Sequence, residues 1–299
     1  MQISGTSSSD VPIRLITHNI RYATTSPFRG EEKWPVRLPY VVNSLKLHTR
    51  YIPASFICLQ EVLHSQLLDI LGSLNATTPG EWAYIGVGRD DGAEAGEYAP
   101  ILYRPKVWRL NFWKTIWLSE TPTVPSKSWD AASIRVLTIG EFTNNETGTS
   151  VMAMNTHLDD QGSVSRKNAA KMIIAQVEKA AFPTFLAGDF NSEPNEEAYS
   201  VLNASGSPVS DLRDYLDERL RYGHENTFTG FGYEEDVGPK RIDFLFLSGM
   251  GKKIERGGVM MGDAPWTVED YGVLESRFDD GVYASDHRAV LGDVLLHSW

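Results

Sequence analysis

The chain has 299 residues, 41% hydrophobic and 22% charged, which excludes a fibrous or wholly disordered protein and fits one large globular domain. Lys and Arg number 28 against 39 Asp and Glu, and the formal charge of −11 argues against the many cationic contacts that hold long nucleic acids. The single cysteine, Cys58, excludes an intramolecular disulfide, and no stretch has the apolar length that stable membrane insertion needs.

Residues 1–10 are polar and Ser-rich, without a basic region followed by an apolar one, and read as a disordered lead-in to a single domain over 11–299. As written, the expectation is a soluble cytoplasmic monomer; a signal removed ahead of Met1 would make it secreted and leave no trace. Sequons at Asn75, Asn145 and Asn203 stand little above chance. Strand-like runs follow at Ile13–Asn19, Ser55–Gln60, Trp82–Val87, Ile101–Arg104, Val107–Trp113 and Ser133–Phe142. They continue at Val151–His157, Thr184–Gly188, Arg241–Leu247, Lys253–Met261 and His287–Leu296. Cys58 falls inside the second run, where a small buried hydrophobe is expected. Helical spacing groups Leu38, Val41, Val42 and Leu45, then Leu67, Leu68, Leu71 and Leu74, then Val164 to Ala181. Asn195–Leu202 and Asp211–Leu220 read as two shorter helices. Many strands, fewer helices and no strict alternation predict a four-layered α/β sandwich (α+β), two mostly antiparallel β-sheets packed face to face with helices outside.

Polar residues of metal-binding or proton-handling type recur at strand ends. Asn19 ends the first run, Glu61 follows the second, and His157 ends Val151–His157. Asp189 and Asn191 follow Thr184–Gly188, Asp243 interrupts Arg241–Leu247, and Asp286 with His287 opens the last run. Any one of these alone is better explained as a turn former, a cap or a satisfied core polar group. Six strand ends converging on oxygen and imidazole donors are harder to dismiss, because a buried carboxylate is costly unless a cation or hydrogen bonds balance it. Oxygen donors such as Asn19, Glu61 and Asp286 suit Mg²⁺ or Mn²⁺ rather than zinc.

The segments Thr17-His18-Asn19-Ile20, Leu59-Gln60-Glu61-Val62, Asn155-Thr156-His157-Leu158, Gly188-Asp189-Phe190-Asn191, Arg241-Ile242-Asp243-Phe244 and Ser285-Asp286-His287 occur in that order. In this set the chain resembles the endonuclease/exonuclease/phosphatase superfamily, which has the DNase I-like fold. The resemblance implies a hydrolase of phosphate esters that uses one or two Mg²⁺ or Mn²⁺ ions. It implies Asn19 and Glu61 at the metal, with Asp286 completing the site or holding a second ion. Asp189 would deprotonate the attacking water and Asn191 would hold that water or a phosphoryl oxygen. His287 would lie over the phosphate, oriented by Asp243, and His157 would donate to a non-bridging oxygen.

Second-tier candidates for substrate binding are Glu97 and Tyr103, which frame Gly96–Tyr103, and Arg135 and Arg166 as phosphate ligands, for which surface ion pairing is an equal alternative. His18 and His64 read as structural. Among eight tryptophans, Trp129 and Trp266 are the candidates for an aromatic wall beside the phosphate, although core packing is the commoner role. The expected partner is a small phosphorylated substrate such as a sugar, lipid-head or nucleotide phosphate ester, hydrolysed by in-line attack of water. The alternative is a nuclease acting on short or single-stranded nucleic acid, where stacking outweighs backbone charge.

Overall fold

The computed structural model describes residues 10–232, 238–250 and 264–298. The strand expected at Lys253–Met261 lies outside them, as do the first nine residues of the lead-in.

Along the described chain come β1 (Val11–Asn19), α1 (Trp34–Thr49), β2 (Ser55–Gln60), α2 (His64–Leu74), β3 (Ala83–Ile85), β4 (Ile101–Tyr103), β5 (Trp108–Trp117), β6 (Val136–Asn144) and β7 (Ser150–His157). Then follow α3 (Ser163–Val177), β8 (Thr184–Asp189), α4 (Glu197–Leu202), β9 (Val209–Asp211), β10 (Tyr222–Gly223), β11 (Asp243–Ser248), β12 (Trp266–Val273) and β13 (Val290–Leu296). They form a seven-stranded sheet in the order β10-β12-β13-β1-β2-β4-β3 and a six-stranded sheet in the order β5-β6-β7-β8-β11-β9. Three pairings, β1–β2, β7–β8 and β10–β12, are parallel, and the other named pairings are antiparallel. No helix among the described residues is long and apolar enough to cross a membrane.

The central strands read as unbroken apolar runs because both of their faces are covered. Successive side chains point to opposite sides of a sheet. Phe56 and Cys58 of β2 therefore join Phe142, Phe185 and Leu245 in the core between the sheets, while Ile57 and Leu59 meet Val41, Val42, Leu67 and Ile70 of the first two helices. On the other sheet Phe185 and Ala187 face inward, and Leu186 packs outward under Ala169, Ile173 and Leu202. These are the four layers. Phe56 touches Trp108, Phe142 and Phe185 at ring separations of 5.0–5.1 Å, and truncating such a residue to alanine costs about 3–5 kcal/mol. Cys58 is fully buried, and burial pushes its thiol far above the ordinary range, so it has no nucleophilic role.

One local expectation is corrected, and one long strand lies outside the expected runs. Asp211–Leu220 is not a helix: the chain leaves β9 through two 3₁₀ turns, Leu212–Tyr215 and Glu218–Leu220. Asp211 and Asp217 each accept a backbone N–H two residues ahead, the aspartate turn that competes with helix. β12 went unread because a register shift between Val268 and Asp270 breaks its alternation.

Candidate active site

Strand direction builds the site. Because β1 runs parallel to β2 and β7 parallel to β8, four carboxyl ends emerge at one edge, with Asn19 beside Gln60 and His157 beside Asp189. β11 starts where β8 ends, so Asp243 lies opposite Asp189. The turn into β13 delivers Asp286 and His287 to the same edge. Five of the six segments line one cleft of 620 Å³, among them Glu61, His157, Asp189, Asn191, Asp286 and His287, while Asn19 and Asp243 are buried behind that lining. Three residues of that lining, Arg21, Glu61 and Asn191, have positive φ (56°, 58° and 46°) without being glycine. Such strain persists only where surrounding structure over-determines it, and it concentrates at functional sites.

Asp189 is the hub. Its Oδ1 accepts the Asn191 backbone N–H at 2.9 Å, and its Oδ2 accepts Asn19 Nδ2 at 2.9 Å. Oδ2 also lies 3.5 Å from His157 Nε2 and 3.7 Å from His287 Nε2. Burial and then the neighbouring Asp243 raise its pKa, against the two histidines. His287 Nδ1 meets Asp243 Oδ2 at 2.8 Å, and the ring edge packs on Phe228. Burial alone would lower the His287 pKa, but Asp243 and Asp189 outweigh it and hold the ring cationic well above the usual range. His157 goes the other way: burial, then Arg135, push it down to about 4.

On the facing side, Glu61 accepts Asn19 Nδ2 (3.0 Å) and the Tyr22 backbone N–H (3.2 Å), with Arg21 3.7 Å away. Asp286 is buried and pushed up to about 6, first by burial and then by Glu61, against His287 and Arg21. The pair carries more negative charge than Arg21 offsets, and hard oxygen donors with surplus charge suit a divalent cation. Asn19 places its NH₂ between the Glu61 and Asp189 carboxylates, while its Oδ1 accepts the Arg21 backbone N–H at 3.0 Å. Ligation by Asn19 requires the amide to turn its oxygen inward. The trio Asp189, Asp243 and His287 also brings ligand-type atoms within 4.8 Å of one another, and Asp243 Oδ1 is buried without a hydrogen-bond partner. In that trio, however, His287 Nδ1 is already committed to Asp243 Oδ2.

The supports are polar and span both sheets. Gln60 Nε2 donates to Asn155 Oδ1 (2.8 Å), and Asn155 Nδ2 donates to the Leu59 and Pro100 carbonyls (both 2.8 Å). Arg37, fully buried, donates to the carbonyls of Ile20, Arg21 and Ala284, tying the chain after β1 to the turn that carries Asp286. Ser285 Oγ donates to the Asn19 carbonyl at 2.6 Å. His64 bonds Tyr98 Oη at 2.9 Å, and His18, pushed down to about 4 by burial, lies 3.4 Å from the His287 carbonyl, so both are structural.

The second-tier residues divide. Glu97, Arg135 and Arg166 line the cleft, but each is already paired: Glu97 accepts Arg89 Nη1 at 2.8 Å, Arg135 donates to Asp160 at 2.9 Å, and Arg166 donates to Glu197. Tyr103 is not in the cleft; it is buried between the sheets against Phe142. Trp266 is likewise core, 3% exposed, because its position on β12 faces inward. Trp129 is outside the cleft lining: it sits in the turn that delivers Asp130 to the N-terminus of α3, where that carboxylate accepts the N–H groups of Val164 and Ser165. The aromatic lining is instead Tyr22, Phe28 and Phe228, with Arg21 stacked between Tyr22 and Phe28 at 4.3 and 4.8 Å. Arg21, Arg89 and Lys240 also line the cleft and were not among the candidates. Arg21 and Lys240 adjoin recognised segments, which is the one signal the sequence offered for them.

The layered sandwich gathers these groups at one edge, the arrangement of a family whose members are generally phosphate-ester hydrolases. The family profile for the endonuclease/exonuclease/phosphatase family matches residues 16–287, and the chain belongs to that family. It is similar to an endonuclease/exonuclease/phosphatase from Bacteroides vulgatus, with 30% identity over 96% of this chain and 100% of the other and a TM-score of 0.79. It is also similar to a mannosyl-6-phosphatase from Bacteroides thetaiotaomicron, with 28% identity over 94% and 99% and a TM-score of 0.79. D. rerio TDP2, complexed with single-strand DNA product, shares the fold at 17% identity over 95% and 98%, with a TM-score of 0.66. No curated protein matches the chain in sequence.

Proposed function

We propose that the chain is a divalent-metal-dependent phosphatase that hydrolyses a small phosphorylated sugar or a similarly polar phosphate monoester. The observation that carries this is the Asp189 carboxylate, held at one cleft edge with Asn19 and Glu61 on one side and His157 and His287 on the other. Glu61, Asp286 and a turned Asn19 would hold Mg²⁺ or Mn²⁺, which when bound polarises the phosphoryl group and acidifies water.

The protein's own groups do the rest. Asp189 has Oδ1 pinned by the Asn191 N–H, and the turn of Asn19 toward the metal would release Oδ2 from the Asn19 amide to accept a proton from the attacking water. His287, kept cationic by Asp243, places positive charge where the phosphoryl oxygens gain negative charge. His157 and Asn191 donate to the remaining oxygens. As the water oxygen bonds phosphorus, the ester P–O bond breaks and the leaving oxygen takes up a proton.

Three observations support a small polar substrate. Arg89, Glu97, Arg135, Asp160 and Arg166, each fixed by an ion pair, form a wall of donors and acceptors suited to hydroxyl groups. A charge of −11 opposes a long polyanion. The likeness to a mannosyl-6-phosphatase extends along nearly the whole chain.

The test is hydrolysis in Mg²⁺ or Mn²⁺, read as phosphate release from mannose 6-phosphate and p-nitrophenyl phosphate, as p-nitrophenol from bis(p-nitrophenyl) phosphate and as shortened strands from a single-stranded oligonucleotide. Turnover of the monoesters, abolished by EDTA, is expected. Cleavage of the oligonucleotide alone moves the assignment to a nuclease, and no turnover of any ester overturns it.

A further inference from the structure

His157 and His287 face the same cleft, but their Nδ1 atoms meet opposite chemistry. His287 Nδ1 lies 2.8 Å from a carboxylate oxygen of Asp243. His157 Nδ1 lies 2.9 Å from Nη1 of Arg135, a group that can only donate. A ring nitrogen that receives a guanidinium N–H presents its lone pair, so the neutral ring must carry its proton on Nε2. We propose that Arg135 is the positioning residue for His157, locking its imidazole neutral with the proton on Nε2, so that His157 donates to a phosphoryl oxygen and does not act as a proton-transferring acid. The identity of that acceptor rests on the phosphatase reading above; the ring's proton position does not.

The surroundings hold this arrangement. Arg135 is buried, donates through Nη2 to Asp160 at 2.9 Å, and has its Nε 3.7 Å from Asp159. Asp159 in turn accepts the backbone N–H groups of Ala132 and Ser133, just ahead of Arg135, so the guanidinium and its chain are fixed together. The carboxylate that could have taken a proton on Nδ1 is Glu97, but it stands 3.7 Å away and accepts Arg89 at 2.8 Å instead. At the other ring nitrogen, Asp189 Oδ2 at 3.5 Å favours an N–H pointing its way. Asn191 Nδ2, which donates to the Leu158 carbonyl at 3.0 Å, also lies 3.1 Å from Nε2, so a proton on Nε2 requires this amide to swing away from the ring or to present its oxygen to it. Burial and the Arg135 charge both oppose protonation of His157. The cleft therefore holds one cationic ring, made so by an aspartate, and one neutral ring, kept so by burial and by an arginine. Environments that push two like groups apart in this way assign them different tasks.

The decisive experiment labels the seven histidines with ¹⁵N and records long-range ¹H–¹⁵N spectra at pH 7 in Mg²⁺, with H157Q identifying the His157 signals. An unprotonated Nδ1 and a protonated Nε2 are expected in the unmutated protein. A protonated Nδ1, alone or in an imidazolium, overturns the proposal. Arg135→Met removes the donor while keeping bulk: His157 should then shift toward the Nδ1–H form, facing Glu97. Its kcat on mannose 6-phosphate should fall about 10–100-fold, the range for groups that orient a reacting one, with KM little changed. Arg135→Lys, which restores a donor, should recover the wild-type ring and part of the rate. A changed ring with unchanged kcat in Arg135→Met also overturns the proposal. If that variant does not fold, the spectrum of the unmutated protein still decides. If no phosphate ester is turned over, the functional reading fails while the ring measurement stands on its own.

Discussion

His287 Nδ1 and Asp243 Oδ2 are 2.8 Å apart and both residues are buried, although Asp243 begins β11 of one sheet and His287 lies in the turn that leads into β13 of the other. The bond makes the two residues one functional unit, because Asp243 supplies the charge that keeps the ring cationic despite its burial. Asp243→Asn and His287→Ala should each lose most of kcat, and the double variant little more than either alone. Steady-state rates for the four proteins of the cycle check this; losses that multiply show independent action.

Glu61 accepts two hydrogen bonds but also repels Asp286. In Glu61→Ala the lost bonds, worth about 1 kcal/mol each, are partly offset by relief of that repulsion. Stability should therefore change little, while metal-dependent activity falls by more than the roughly 10–100-fold seen for residues that only orient a ligand. Urea midpoints in EDTA and rates across a Mg²⁺ titration separate the two effects. A rate near wild type at low Mg²⁺ removes Glu61 from the metal site.

Asp189→Asn keeps the shape of the side chain and removes its charge. With the base gone, kcat should fall by about 10²-fold or more, while KM holds because the metal and His157 carry substrate binding. The measurement is the kcat–pH profile from weakly acidic to weakly basic pH. Near-full kcat throughout makes Asp189 a turn residue and sends the search for the base to Glu97 or Asp286.

Without metal, His157 should make its own contribution to a loss of stability on mild acidification, in the same direction as His18, also pushed down to about 4, and opposite to Asp286, pushed up to about 6. The folded pKa of His157 is pushed down to about 4 by burial and Arg135, against about 6.5 in an unfolded chain. The unfolded state therefore binds more protons between those values, so the contribution of His157 is full above about pH 6.5 and is lost as pH falls toward 4. Over that window the loss is on the order of 3 kcal/mol. His287 has the opposite sign, its contribution being present at low pH and lost as pH rises through its elevated pKa. Urea unfolding in EDTA at pH 7 and pH 5 should show a smaller drop for His157→Gln than for the unmutated protein. Equal drops dismiss the neutral buried ring.

By itself the sequence determined the two-sheet architecture, the ends of its central strands and the seven polar side chains that close them with Asp243. Buried strands alternate between two apolar layers, so their runs are continuous, and a carboxylate or imidazole at the end of such a run stands out against them. Ser55–Gln60 was legible residue for residue, and Thr184–Gly188 to within one. Short-range patterning failed where long-range pairing or capping took over: the bulged β12, the aspartate-capped turns after β9, and Trp129, whose turn serves α3 through Asp130. Only the tertiary structure decided which cations enter the cleft. A lone Arg or Lys carries no period, and Arg21, Arg89 and Lys240 acquire their place through loops folded over the strand ends. It also decided the state of each histidine. His157, the last residue of β7, and His287, in the turn before β13, are the same residue type at one cleft, and an arginine 22 residues from one and an aspartate 44 residues from the other help to set them apart. Those electrostatic neighbours are chosen by packing, which local sequence does not encode.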